Sequence, residues 1–192
     1  MTGSSVLPAT IHKGKLYFLF GKENQMEKSA KGFSDFGGGV ENGESIYETA
    51  LREGGEELTG FLGDSKILKK MIKRNGGHFA LSHNDYHVHL FYVPYDPNLV
   101  TYYNLNHRFL WDRMDRNLLS KSKLFEKIEI DWFDVKSSKK RIKEFRPFYQ
   151  DVLREILKQE KHIVRFLKRT CIKKTRRISS KTKRNKTLKT LF

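Results

Sequence analysis

The sequence has little cysteine and no long apolar run. Its one cysteine, Cys171, rules out an intrachain disulfide and leaves a zinc site without a second thiol. The compact apolar run at 16–20 is far shorter than the roughly 20 residues that cross a bilayer. Residues 1–10 lack the charged and apolar regions of a secretion signal. We therefore expect a protein that is neither secreted nor membrane-spanning, located in the cytoplasm, the nucleus or a viral factory.

Acidic residues are absent from the last part of the chain. Residues 168–192 carry eleven lysines and arginines of the formal net charge of +16, which leaves +5 for the rest. A like-charged stretch mixed with Ser, Thr and Asn is expected to be disordered. The sequence thus predicts one domain over 1–167 and a basic low-complexity tail over 168–192. Attraction to RNA and a simple solubilising or nuclear-localising role both remain open for the tail.

Strand-like and helix-like patterns alternate along the rest of the chain. Short aromatic or β-branched segments predict strands over 15–21, 67–74, 86–95 and 128–134. Amphipathic segments predict helices over 45–58, 106–119 and 147–169, the first with Glu44 or Ser45 as its N-cap. This order favours an α/β or α+β sandwich.

Three carboxylates are spaced to share one helix face. Glu53, Glu56 and Glu57 stand at i, i+3 and i+4, so they lie within one turn and repel each other. A hard divalent cation would turn that repulsion into binding, although an acidic solvated face has the same spacing. Arg52 faces Glu56 at i+4, and the upstream glycines 37–39 would let the backbone approach a phosphate or metal closely. Together these features favour a site.

The spacing Gly38, five residues, Glu44, seven residues, Arg52-Glu53, two residues, Glu56-Glu57 resembles the Nudix box. Six fixed identities at this spacing arise by chance with a probability of about 10⁻⁵ over the chain. The resemblance covers residues 38–60, and more weakly 9–167. It implies a Nudix-like α/β/α sandwich with a mixed sheet, and a metal-dependent hydrolase that cleaves a phosphoanhydride bond.

The resemblance also implies roles for the residues of the box. Glu56 and Glu57 would bind Mg²⁺ or Mn²⁺, and Glu53 would act as a ligand or a base. The carbonyl of Gly37 or Gly38 would add a further oxygen, and Glu44 and Arg52 would orient the loop and helix. Metals of this kind offset phosphate charge and lower the pKa of a bound water.

The box departs from the family pattern near its end. Gly54 replaces a bulky aliphatic residue, and Thr59-Gly60 replaces the closing Gly-aliphatic pair. Two adjacent glycines in a helix cost about 1 kcal/mol each, which predicts a loose helix. Gly60 is expected to supply the left-handed cap one residue late. A degenerate domain that only binds its ligand stays open.

Charge suggests the substrate. A cluster of cations follows the box and is the candidate substrate-binding surface: Lys66, Lys69, Lys70, Lys73 and Arg74. Together with the tail it suits a long polyanion, so the favoured substrate is an RNA 5′ cap or 5′ end, as in mRNA-decapping members. The alternatives are a hydrolase of diphosphoinositol polyphosphate or dinucleoside polyphosphate, and a catalytically weak Nudix-like RNA-binding module.

Several residues outside the box have two interpretations each. Glu126 and Glu129 are candidates for an additional catalytic acid, or ordinary surface residues. His78, His83, His87 and His89 suggest zinc only weakly, because no matching Cys or His pair accompanies them. The aromatic residues are candidates for base stacking or for the core, the second being the commoner role of strand aromatics: Tyr86, Phe91, Tyr92 and Trp111.

Overall fold

The computed structural model describes residues 2–24, 31–121 and 126–170. Among these residues seven strands form one sheet: β1 (Gly3–His12), β2 (Lys15–Glu23), β3 (Phe33–Ser34), β4 (Phe36–Gly39), β5 (His78–His83), β6 (Tyr86–Tyr92) and β7 (Lys127–Asp134). The helices are α1 (Ile46–Glu57), α2 (Ser65–Arg74), α3 (Pro97–Trp111), α4 (Arg116–Lys121), α5 (Val135–Lys140), α6 (Pro147–Lys158) and α7 (160–170). Within these ranges each helix is too short or too polar to cross a bilayer.

The sheet is mixed. The main path runs β3-β2-β1-β6-β5, with β4 also pairing with β1 and β7 with β2. The β1–β6 pair is parallel, and the other pairs are antiparallel. One face packs against α6 and α7 through Tyr149, Leu153 and Leu167, and the other against α1, α2 and α3. The predicted sandwich with a mixed sheet is confirmed.

The central strand is one that the sequence pattern did not reveal. β1 contains Ser4, Ser5, Pro8 and Thr10, which read as a polar start. Most of it is nevertheless buried between β2, β4 and β6. Proline is normally confined to strand edges because it cannot donate to the ladder.

Other predicted bounds need correction. The segment predicted as a strand over 67–74 is helix α2, capped by Asp64 and with Leu68 and Ile72 buried at i and i+4. The helix predicted over 106–119 is two helices, and the first begins at Pro97 with Asp96 as its cap. The helix predicted over 147–169 is also two helices, separated at Gln159. The strands predicted near 15–21, 86–95 and 128–134 are confirmed as β2, β6 and β7.

The predicted domain boundary falls inside α7, which continues through 168–170. Thr170 is buried and lies against Gly76. The predicted disorder of the basic tail concerns residues that, from 171 onward, lie outside the described ranges.

Gly54 lies at a close contact between α1 and the sheet. A Cβ at Gly54 would stand 2.3 Å from Cγ2 of Val6, which is fully buried in β1. The glycine therefore lets the helix approach the strand more closely than any side chain would allow. The helix is continuous through this position. The close contact between its backbone and Val6 takes the place of a bulky apolar side chain.

We predict that Gly54→Ala lowers the free energy of unfolding by about 1–3 kcal/mol through overpacking, although alanine is the better helix former. Val6→Ala removes the methyl group in the way. The Gly54→Ala/Val6→Ala double variant should therefore lose about 1 kcal/mol less free energy of unfolding than the sum of the two single losses. The measurement is a double-mutant cycle by chemical denaturation. Strictly additive losses would contradict the close contact.

Candidate active site on helix α1

Helix α1 begins with a complete capping box. The Glu48 backbone N–H donates to Ser45 Oγ at 3.3 Å, and the Ser45 N–H donates to Glu48 Oε2 at 3.1 Å. Ser45 is therefore the N-cap, one of the two predicted residues. Because Ser45 caps the helix, the Glu44 carboxylate is available to bind elsewhere.

Arg52 joins that carboxylate to the rest of the box. Its Nε donates to Glu44 Oε1 at 2.7 Å, and its Nη2 donates to Glu44 Oε2 at 3.0 Å, a bidentate pair. Nη1 donates to Glu53 Oε1 at 2.8 Å, and Nη2 to the Gly39 carbonyl at 3.2 Å. The predicted contact with Glu56 is present but longer, at 3.6 Å. Arg52 lowers the pKa of Glu44 to about 2 and has its own pKa raised, first by Glu44.

Close contacts within the protein surround two glycines of the box, Gly37 and Gly38. A Cβ at Gly37 would stand 2.3 Å from Cβ of Ser5 in β1. A Cβ at Gly38 would stand 2.5 Å from Oε1 of Glu53. The backbone at Gly38 is therefore packed directly under a carboxylate, and the predicted approach of a phosphate or metal to this backbone stays a prediction.

Glu57, unlike the partly exposed Glu56, is enclosed by the protein. Its Oε2 accepts the Gly37 N–H at 2.7 Å, and its Oε1 lies 3.1 Å from Nζ of Lys127. Lys127 also pairs with Glu23, which in turn accepts Nη1 of Arg146 at 2.7 Å. Burial raises the pKa of Glu57, and Lys127 opposes that shift. Burial lowers the pKa of Lys127, but Glu57 and Glu23 outweigh it, so Lys127 stays charged.

Lys127 and Glu23 were missed in the sequence. Lys127 begins a strand with alternating residues, and a lysine there is normally taken to face solvent. Its inward direction arises at a register shift between Lys22 and Glu23, where β2 and β7 pair. A bulge of this kind redirects one side chain and leaves no recognisable signal in the sequence.

Some of the carboxylates of the box are arranged to bind a hard cation, and one is not. Glu53 and Glu56 both pair with the same Arg52 nitrogen, at 2.8 and 3.6 Å. Glu57 is engaged by Lys127 and Gly37. Within residues 2–24, 31–121 and 126–170, no three acidic, histidine or cysteine side chains are grouped closely enough to hold one ion. The arrangement fits a two-carboxylate site and does not fit a three-carboxylate one.

A cavity of about 530 Å³ lies beside the box glycines. We call it the glycine-side cavity, and it is lined by Thr2, Gly3, Gly37, Gly38, Gly39, His83, Asn84, Asp85, Tyr86, Arg146, Phe148, Asp151 and Val152. Phe148 is 47% exposed there, with the Arg146 guanidinium 5.0 Å from its ring centroid. An open aromatic face next to the box is suited to stacking a flat group.

A buried carboxylate supports this region from below. Asp35 is fully buried and accepts hydrogen bonds from Ser5 Oγ at 2.5 Å and from Tyr86 Oη at 2.7 Å. Burial raises its pKa to about 6, against the opposing effect of these hydrogen bonds. Asp35 thereby connects β1, β6 and the strand that carries the box glycines.

The predicted residues outside the box separate into two groups. Glu126 lies near enough to Glu57 to raise its pKa, whereas Glu129 pairs with Lys22 at 3.7 Å. Glu129 and Trp111 line a different cavity, of about 440 Å³, between α3 and β7. The cations predicted to bind substrate occupy the exposed side of α2, outside the lining of the glycine-side cavity: Lys66, Lys69, Lys70, Lys73 and Arg74.

The histidines and strand aromatics described here pack against other side chains and do not surround a common metal site. His78 stacks on Tyr47 of α1 at 4.7 Å between ring centroids, and His89 packs edge-on against both. Phe91 is fully buried in the core, as strand aromatics commonly are. Tyr86 lines the cavity and contacts Phe148 at 5.7 Å.

The end of α1 contains a strained residue. The Thr59 N–H donates to Glu56 O and the Gly60 N–H to Gly55 O, which is the Schellman pattern. The left-handed position is thus Thr59, with φ of +47°, and Gly60 also has positive φ, at +74°. The prediction that Gly60 supplies the left-handed cap is therefore wrong, because Thr59 occupies that position. A β-branched residue in this region is unfavourable.

We predict that Thr59→Gly is more stable than Thr59→Ala by about 1 kcal/mol, because both remove the hydroxyl and only alanine keeps the strained Cβ. The measurement is the midpoint of thermal or urea unfolding. Equal stabilities would show that this turn relaxes without strain.

The raised pKa of Asp35 predicts a pH dependence of stability. A carboxyl that binds its proton more tightly when folded loses stability as pH rises from its unfolded pKa of 3.8 through its folded value of about 6. Asp35→Asn removes this loss. Relative to wild type, its free energy of unfolding should rise by roughly 3 kcal/mol between about pH 4 and pH 7. A difference that does not change with pH would contradict the assignment.

No family model and no curated protein matches this chain. Among solved structures, it is similar to a C. elegans Ap4A hydrolase in a binary complex, with 14% identity over 81% of this chain and 95% of that chain and a TM-score of 0.43. It is also similar to a NUDIX hydrolase from Nitrosomonas europaea, with 16% identity over 81% and 87% of the two chains and a TM-score of 0.37. Because both likenesses are this weak, the function of the chain has to be read from its own residues.

Proposed function

We propose that the chain is a pyrophosphohydrolase that uses Mg²⁺ or Mn²⁺ to cleave a phosphoanhydride bond in a nucleoside-diphosphate-linked substrate. The observation that carries the proposal is the position of Arg52. It binds Glu44, Glu53 and the Gly39 carbonyl together, so the acidic face of α1 is fixed against the strand that lines the glycine-side cavity. A solvated acidic face would not need such bracing.

Glu53 and Glu56 are the proposed carboxylate ligands, with the Gly38 backbone as a further oxygen. Mg²⁺ commonly binds through one or two carboxylates and keeps water and substrate phosphates as its other ligands. When bound, such an ion offsets phosphate charge and lowers the pKa of a water molecule. Two carboxylates beside an open cavity suit this mode.

The protein's own groups hold the site in shape. Arg52 keeps the Glu44 carboxylate ionised and fixes Glu53 against Gly38. Glu56 is the most exposed of the three acids, with 31% of its side chain accessible. It is therefore best placed to meet solvent and substrate, and Glu53 stays a proposed ligand or base. Glu57 positions the glycine strand through the Gly37 N–H.

The glycine-side cavity is the proposed place for the nucleoside. Phe148 offers an exposed ring for stacking, and the lining carboxylates of Asp85 and Asp151 would accept hydrogen bonds from exocyclic amino groups of a base. We favour an RNA 5′ cap or 5′ end, because the basic tail and the cations of α2 would follow the rest of the strand. A dinucleoside polyphosphate uses the same cavity without the tail.

The test is hydrolysis of capped RNA, a dinucleoside polyphosphate and a diphosphoinositol polyphosphate with Mg²⁺ or Mn²⁺. Glu56→Gln and Glu53→Gln should each lower kcat/KM by about 100-fold or more. Glu155→Gln, an acid of α6 that pairs with Lys158, is the matched control and should keep full activity. Full activity of both box variants would contradict the proposal.

Two further variants identify the substrate. Phe148→Ala should raise KM for both nucleoside substrates and leave a diphosphoinositol polyphosphate unaffected, since that molecule has no base to stack. A chain ending at Thr170 should lose activity on RNA but keep its activity on the other substrates. Its remaining activity on RNA should fall less steeply with rising salt than that of the full chain. Binding of RNA without turnover of any substrate would favour the RNA-binding module instead.

A further inference from the structure

Lys127 is a lysine enclosed by the protein. Its side chain is 0% exposed, and its Nζ contacts Glu23, lies 3.1 Å from Glu57 Oε1 and donates to Ser34 Oγ at 2.9 Å. Removing an ammonium from water is costly unless it is paired and hydrogen-bonded, and here all three partners are in place.

The surroundings are shaped for this lysine. A Cβ at Gly21 would stand 2.9 Å from Cγ of Lys127, so the absence of a side chain there makes room for its stem. Tyr103 donates its hydroxyl to the backbone oxygens of Lys127 at 3.1 Å and of Glu57 at 3.0 Å. The end of α1 and the start of β7 are thereby held together, with the ammonium opposite the carboxylate.

Both oxygens of Glu57 are occupied. Oε1 faces Lys127, Oε2 accepts the Gly37 N–H at 2.7 Å, and the residue is 3% exposed. A divalent ion bound to this carboxylate would lie close to the ammonium of Lys127, which is 0% exposed, whereas the Arg52 guanidinium beside Glu53 and Glu56 is 19% exposed and is screened by water. At low dielectric such repulsion is much stronger than in water.

We infer that Lys127 acts as a built-in cation that removes Glu57 from the metal-binding set. Glu53 and Glu56 are then the only carboxylates of the box that bind the metal, and the site holds fewer ions than three carboxylates would allow. The inference rests on the proposed function, because it presupposes that the box binds a divalent metal. Lys127 is a positioning residue, since it acts through Glu57.

The experiment is a Mn²⁺ titration of the full chain, with free Mn²⁺ measured by electron paramagnetic resonance. Glu57→Gln should leave the Kd for Mn²⁺ unchanged, whereas Glu56→Gln should weaken it by about 10-fold or more. Lys127→Met fills a similar volume without the charge and should bind one additional Mn²⁺ per chain. Lys127→Arg keeps the charge and should retain the wild-type stoichiometry.

Two results would overturn the inference. One is a loss of Mn²⁺ affinity in Glu57→Gln as large as that in Glu56→Gln. Another is an unchanged Mn²⁺ count in a folded Lys127→Met. If Lys127→Met does not fold, the comparison of Glu57→Gln with Glu56→Gln decides alone. Wild type that binds no Mn²⁺ would instead overturn the proposed function itself, which separates the two failures.

Discussion

The close approach of α1 to the strands beneath it is the constraint on which the rest of the site depends. Gly54 brings the helix onto Val6, and Gly38 brings the backbone of β4 under the Glu53 carboxylate. A side chain at Gly54 would meet the buried Val6 and push the helix outward, and a side chain at Gly38 would displace the Glu53 carboxylate. Packing at these glycines therefore sets the position of the acids of α1. The hydrogen bond from Arg52 to Glu53 then holds that position.

Charge divides the acidic helix into two parts. Toward solvent, Arg52 gathers Glu44, Glu53 and Glu56 in a partly exposed cluster. Toward the core, Lys127 holds Glu57 in an enclosed one. Neighbouring residues of one helical turn thus lie in different environments. The side chains of the solvent-facing cluster can adjust, and those of the enclosed cluster are fixed. An identical residue type at consecutive positions consequently has distinct physical roles.

The sequence allowed the box, its N-cap and three of the seven described strands, β2, β6 and β7, to be predicted, because these depend on local periodicity and capping. It did not allow β1 to be recognised, since Ser5 is satisfied by Asp35, thirty positions away. Leu68 and Ile72 stand four residues apart, which is the spacing of a helix face, and the strand predicted over 67–74 is wrong for that reason. The adjacent glycines predict a loose helix, and only the position of Val6 shows that Gly54 also allows a close contact with β1. Lys127 depends on a bulge, which no local pattern encodes.

The placement of β1 has a consequence for the order in which the chain acquires its structure. Lys13 and Gly14, with φ of +47° and +76°, close a two-residue hairpin that joins β1 to β2. That hairpin needs only neighbouring residues and can form early. The parallel partner of β1 is β6, in which Tyr86 pairs with Gly3. The second edge of β1 therefore stays unpaired until β6, much later in the chain, has been synthesised. Non-local pairing of this kind slows folding and leaves an unpaired strand edge exposed to other chains during synthesis.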